Sequence, residues 1–132
     1  MREILALALL APITAIAAPV FLDCEITNEE GEKKVFSVSL DADNGKVTHT
    51  HDNGGAFKTE GFFATNTITY QKIDLTKSLR VTLKYEINRT DLSVIESFTL
   101  AARNKEILKI QPPTTTLSTG TCKISEVTER KI

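Results

Sequence analysis

From Val20 onward the chain alternates between apolar and polar positions. Val20, Leu22, Cys24 and Ile26 share one face of an extended segment, and Phe21, Asp23, Glu25 and Thr27 share the other. That two-residue period is the mark of a half-buried strand. Asn28 to Glu32 reads as a turn, and Lys33 to Ala42 as a second strand with Phe36, Val38 and Leu40 inward. Asp43-Asn44-Gly45-Lys46 signals a hairpin, because Asn-Gly accepts the positive φ angles of a tight two-residue turn. Lys46 to Asp52 is the return strand, and Asn53-Gly54-Gly55 the next turn. Ala56 to Ala64 follows, with a bulge or bend expected at Gly61. Thr67 to Ile73, rich in β-branched residues, is the next strand.

Leu79 to Ile87 alternates most cleanly, Leu79, Val81, Leu83, Tyr85 and Ile87 against Arg80, Thr82, Lys84 and Glu86. Asn88-Arg89-Thr90-Asp91 turns the chain into Leu92 to Ala101, where Glu96 breaks the face Leu92, Val94, Phe98, Leu100. Either a bulge shifts the register there or a carboxylate points inward. Arg103 to Glu106 reads as a polar turn before Ile107 to Ile110. Pro112-Pro113 and Thr114 to Thr119 read as an exposed crossing without regular structure, and Gly120-Thr121-Cys122 begins a last strand. No stretch carries a helical period. The pattern predicts an all-β fold, a small antiparallel up-and-down barrel or compact sandwich of about eight strands.

The segment before Val20 is different. Met1-Arg2-Glu3 precedes an apolar run from Ile4 to Ala18, too short to span a bilayer and ending in small residues. These are the parts of a secretory signal peptide, with cleavage expected after Ala17. What remains is one domain, residues 18–132, with a frayed tail from Glu126. Asp23 before Cys24 does not suit lipid attachment. The expectation is a periplasmic or secreted protein with no stable membrane insertion after cleavage.

Only two cysteines are present, Cys24 and Cys122. An even count in an oxidising compartment predicts a disulfide between them. Each lies on the apolar face of its strand, so the bridge would join the first strand to the last and close the fold. The net charge is −1 and no basic run exceeds a pair, which argues against a nucleic-acid partner. With aromatics at 6% and no Trp, a stacking platform or sugar-binding shelf is not expected either.

His49 and His51 are the only histidines, and their spacing puts them on one strand face. A two-residue loop at Asn44-Gly45 would pair Leu40 with His49 and Val38 with His51, turning both imidazoles inward. A one-residue bulge would turn them out. Inward, they form a candidate zinc or copper site with Asp52 as a third ligand. Asp41-Ala42-Asp43-Asn44-Gly45 resembles the opening of a calcium loop, but the glycine comes one position early. No serine sits in a strand-to-helix elbow, and nothing fixes the separation of Glu60, Glu86 and Glu96. No catalysis and no cofactor are expected. Asn88-Arg89-Thr90 matches a glycosylation sequon and reads equally as a turn.

The first-strand Cys24, the hairpin Leu40-Asp41-Ala42-Asp43-Asn44-Gly45-Lys46-Val47, the segment Thr67-Ile68-Thr69-Tyr70, the turn Ile87-Asn88-Arg89-Thr90 and the closing Gly120-Thr121-Cys122 resemble a broad group of short exported bacterial β-domain proteins. That resemblance implies a fold and a compartment. The chain is also similar to periplasmic inhibitors of C-type lysozyme, small β-barrels with cysteines near both ends, which present a Ser-Gly-x-x-Tyr loop to the enzyme. The nearest stretch here, Asn53-Gly54-Gly55-Ala56-Phe57, has neither the serine nor the tyrosine. The functional expectation is an exported, monomeric, non-catalytic binding or interaction module for an unknown protein or small-molecule target. The alternatives are a lysozyme-inhibitor-like protein, a small-ligand barrel lined by Phe21, Phe57, Phe62 and Phe63, and a metal-binding barrel using His49 and His51.

Overall fold

The computed structural model describes residues 19–125, so the expected signal peptide and the tail from Glu126 lie outside the described residues. Eight antiparallel strands follow one another around a closed barrel. They are β1 (Val20–Asn28), β2 (Lys33–Asp41), β3 (Lys46–His51), β4 (Ala56–Phe63), β5 (Thr67–Leu75), β6 (Leu79–Asn88), β7 (Ser93–Ala102) and β8 (Thr114–Ile124). A short helix, α1 (Lys105–Ile110), connects β7 to β8. Of the two architectures the pattern allowed, the barrel is the one formed.

The alternation decides which residues fill it. Leu22, Ile26, Phe36, Val38, Val47, Ile68, Tyr70, Tyr85, Ile87 and Val94 are all buried on the inward register. Burying an aliphatic side chain of this kind contributes about 1.5–3 kcal/mol. The break at Glu96 is not a bulge: β7 stays in register, with Glu96 opposite Tyr85 and Ser118, and the carboxylate points inward.

Four expectations are corrected. Ile107 to Ile110 is helical, because Asn104 caps the turn and accepts hydrogen bonds from the Glu106 and Ile107 amides at 2.7 and 3.3 Å. The threonine run is not an irregular crossing but the first half of β8, paired with β7 from Leu100↔Thr114 onward. Its β-branched side chains suit an extended wall strand, and Thr99 and Thr115 share a hydroxyl hydrogen bond at 3.0 Å. Gly61 stays in register opposite Tyr70, the Val47 and Phe63 side chains taking the room a Cβ would fill. The β2–β3 loop has four residues rather than two. Gly45 alone takes the positive φ (+65°), and Asp41 pairs with Lys46. The register therefore moves by two, giving Val38↔His49 and Phe36↔His51, and an even shift leaves both histidines on the inward face.

Two seams of the wall are built differently. At the first, β1 and β8 pair through seven residues, and Cys24 stands directly opposite Cys122 with a Cα–Cα distance of 4.0 Å. The disulfide between them closes a stretch of 98 positions, worth about 4–5 kcal/mol on the chain-entropy argument. Gly120 lets the two strands approach, since a Cβ there would lie 1.8 Å from the Glu25 carbonyl oxygen. At the second seam β4 and β5 pair only through Gly61↔Tyr70, Phe62↔Thr69 and Phe63↔Ile68. Beyond Gly61 and Tyr70, Ala56–Glu60 pairs with β3 alone and Gln71–Leu75 with β6 alone. The wall is open there.

Candidate functional site

The interior at mid-height is aromatic and polar. His49, 1% exposed, is stacked between Phe36 and Phe57, with ring centroids 4.5 and 5.0 Å away. Tyr70 stacks on Tyr85 at 5.0 Å, and its hydroxyl shares a 2.8 Å hydrogen bond with His49 Nδ1. Tyr85 donates to Glu96 Oε2 at 2.6 Å, and Lys34 Nζ meets the same oxygen at 2.9 Å. Among the described residues, no buried side-chain polar atom lacks a partner. Leaving such an atom unpaired costs about 1–3 kcal/mol, so the network is bound up with the packing around it.

Burial sets the protonation states. It holds His49 down to about 3, with His51 and the ammonium groups of Lys34 and Lys72 adding to the effect. Burial also raises Tyr70, with Tyr85 and the Glu96 charge contributing. Tyr85 is pushed well above the usual phenol range by burial, then by its hydrogen bond to Glu96 and that carboxylate's charge. Near neutral pH, His49, Tyr70 and Tyr85 are therefore all uncharged.

The expected site residues divide. His49 and His51 come together, ring centroids 4.7 Å apart, but Tyr70 occupies Nδ1 of His49. Asp52 lies in the exposed β3–β4 turn. Among the described residues, no three His, Cys, Asp or Glu side chains gather as a metal group. Of the four phenylalanines considered for a ligand cavity, Phe57 and Phe63 face inward against the core. Phe62 is 70% exposed, and Phe21 falls on the outward register, opposite Ser39. The Lys34–Glu96–Tyr85 group was only half legible. Glu96 stood out as an interruption, but its partner comes from a strand 62 positions away.

Open cavities lie at the rims and on the outer wall. One mouth, about 330 Å³, is apolar, with Leu22, Leu40, Phe63 and Ile68 below Arg89 and Asp43. The opposite mouth, about 440 Å³, is charged, with Glu96 and Lys34 beside Glu32 and Lys33. A groove of about 580 Å³ crosses β1, β2, β3 and β8 and is lined by outward-facing Asp23, Glu25, Ser37 and Thr50. At the open seam, Lys72 reaches over Phe57, its Nζ 5.4 Å from the ring centroid, and pairs with Asp74 at 3.4 Å. Lys72 and Asp74 fall on the inward register, and the gap in the wall gives both charges access to water. Among the described residues no helix is long and apolar enough to cross a membrane. A scan of protein-family models, a search of curated proteins and a search of solved structures each found no match.

Proposed function

We propose that this chain is an exported, non-catalytic binding module that recognises its target with the wall and rims of the barrel, the interior serving as scaffold. One observation carries the reading. The middle of the barrel is filled by the Phe36–His49–Phe57 stack and the Tyr70–Tyr85 pair, whose polar atoms are turned toward one another. A ligand at that level would have to displace close-packed rings and break their hydrogen bonds. The Tyr70 hydroxyl is committed to His49 Nδ1 and the Tyr85 hydroxyl to Glu96, which supports a structural role for these groups. The Cys24–Cys122 bridge supports the periplasm or the exterior as its compartment.

Mass spectrometry under non-denaturing conditions, on protein recovered from the exported fraction, tests this. The expected species is the bare polypeptide, two hydrogens lighter than the dithiol, beginning at residue 18. A small molecule or metal ion retained at one per chain would overturn the scaffold reading of the interior.

A further inference from the structure

The open stretch of the β4–β5 seam exposes backbone that the rest of the barrel uses for pairing. Which groups it exposes follows from three hydrogen bonds. Gly61 N–H donates to Gly45 C=O, on the β3 side, so the main-chain groups of Phe62 point the other way, to β5. Ala64 N–H donates to Thr67 C=O, which places the odd-numbered residues of β5 toward β4. Arg89 N–H donates to Asn66 C=O, which places the even-numbered ones toward β6. By this alternation the N–H and C=O groups of Lys58 and Glu60 on β4, and of Gln71, Ile73 and Leu75 on β5, face the gap. Gly61↔Tyr70 is a non-hydrogen-bonded pair, so the Gln71 N–H closes the ladder on the Glu60 C=O. Beyond that bond no ladder partner meets the groups of Lys58, Ile73 and Leu75, the Glu60 N–H or the Gln71 C=O.

An unpaired strand edge is a template for another strand. On the β5 side the edge is also apolar and cationic. Ile73 and Leu75 are 39% and 58% exposed beside it. Arg80 and Lys84 flank Leu75 and Gln71 on β6, and Lys58 stands on the opposite bank. None of these three cations forms an ion pair among the described residues, whereas the acids of the two edges are held, Asp74 by Lys72 and Glu60 by Lys46.

We propose that the open edge of β5, Gln71 to Leu75, is a docking site for an extended acidic segment of a partner protein. The segment adds to β5 as an antiparallel strand, sharing main-chain hydrogen bonds with Ile73 and Leu75 and setting its carboxylates against Lys58, Arg80 and Lys84. It covers Ile73 and Leu75 as it does so. This deepens the binding-module reading and rests on it.

The test is an NMR titration of the labelled protein, bridge intact, with an eight-residue peptide alternating valine or threonine with aspartate or glutamate. The expected result is a set of shifts centred on the Ile73 and Leu75 amides, with slowed hydrogen exchange at both. Two control peptides separate ladder from charge. N-methylation along the edge that meets β5 should weaken binding about tenfold or more, one hydrogen bond being worth about that factor. Lysine in place of the acids should weaken it roughly tenfold at low salt, an effect that shrinks as salt rises. Ile73→Pro should abolish binding while leaving a folded spectrum. Equal binding of the N-methylated peptide, or shifts confined to the rims or the β1–β2 wall, would overturn the site and leave the broader reading standing. Shifts confined to His49, Tyr70 and His51 would overturn both.

Discussion

Where β1 meets β8, seven residue pairs and a disulfide hold the wall; where β4 meets β5, on the opposite side of the barrel, three pairs do. Both seams join the same kind of strand, so propensity does not separate them. The difference lies in what each turns inward. The first seam buries Leu22, Ile26 and the half-cystines and pulls its backbones together at Gly120. The second would have to bury Lys72 and Asp74 to zip further. Desolvating two charges costs several kcal/mol each unless the geometry compensates, more than a few added ladder bonds return. A barrel can thus be closed firmly along one line and left unpaired along the opposite one, and only the unpaired line has hydrogen bonds to offer a partner.

The two seams should respond differently to a single methyl group. Gly120→Ala sets a Cβ against the Glu25 carbonyl and the Ile26 Cα, at 1.8 and 2.7 Å, where only main chain can give way. The expected loss is on the order of 4 kcal/mol in urea unfolding, at the upper end for one substitution. Gly61→Ala meets the Val47 side chain at 2.6 Å and the Phe63 ring at 3.0 Å, both able to shift, and should cost about 1–2 kcal/mol. Equal losses would mean that the first seam is no tighter than the second.

Proline sharpens the contrast within one strand. Lys72→Pro removes an N–H that the alternation directs to β6 and should cost about 3 kcal/mol. Ile73→Pro removes one that faces the gap and should cost less than about 1 kcal/mol, as at an edge strand. If the order reverses, β4 and β5 are zipped in solution.

Much of this was legible in the alternation: seven of the eight strands, the inward Phe36, Val38 and Leu40, and two cysteines on apolar faces. The His49 face survived an error in the loop because the register moved by an even number. The helix α1 escaped because six residues are too few to show a period, although Asn104 followed by Glu106 was an available cap signal. The first half of β8 escaped because threonine was read for its polarity instead of its branching. The open seam was the least legible feature, since periodicity says which way a side chain points and not whether its backbone finds a partner. Its only trace was two charges, Lys72 and Asp74, continuing the face of Ile68 and Tyr70. The Lys34–Glu96–Tyr85 group depends on which strands become neighbours, a property of barrel closure.

A pH-dependent effect concerns the packed interior, where His49 lies against Phe57 of β4 and Tyr70 of β5. Burial lowers His49 from its ordinary 6.5 to about 3, so between those values the unfolded chain binds the extra proton. The His49 contribution is whole above pH 6.5 and falls away as the pH drops toward 3, with a slope nearing about 1.4 kcal/mol per pH unit. Urea midpoints at pH 7 and pH 5 should therefore differ in the wild type. In His49→Phe, less stable overall because the Tyr70 hydroxyl loses its partner, that difference should shrink. An unchanged difference would place the titrating group elsewhere.

Amide hydrogen exchange along β4 and β5, read residue by residue in the free protein, tests the open seam most directly. The amides of Lys58, Glu60, Ile73 and Leu75 should exchange rapidly, while Gln71, bonded to Glu60, and Tyr70, Lys72 and Asp74, bonded to β6, stay protected. Uniform protection through Gln71 to Leu75 would show a fully zipped wall and contradict the account.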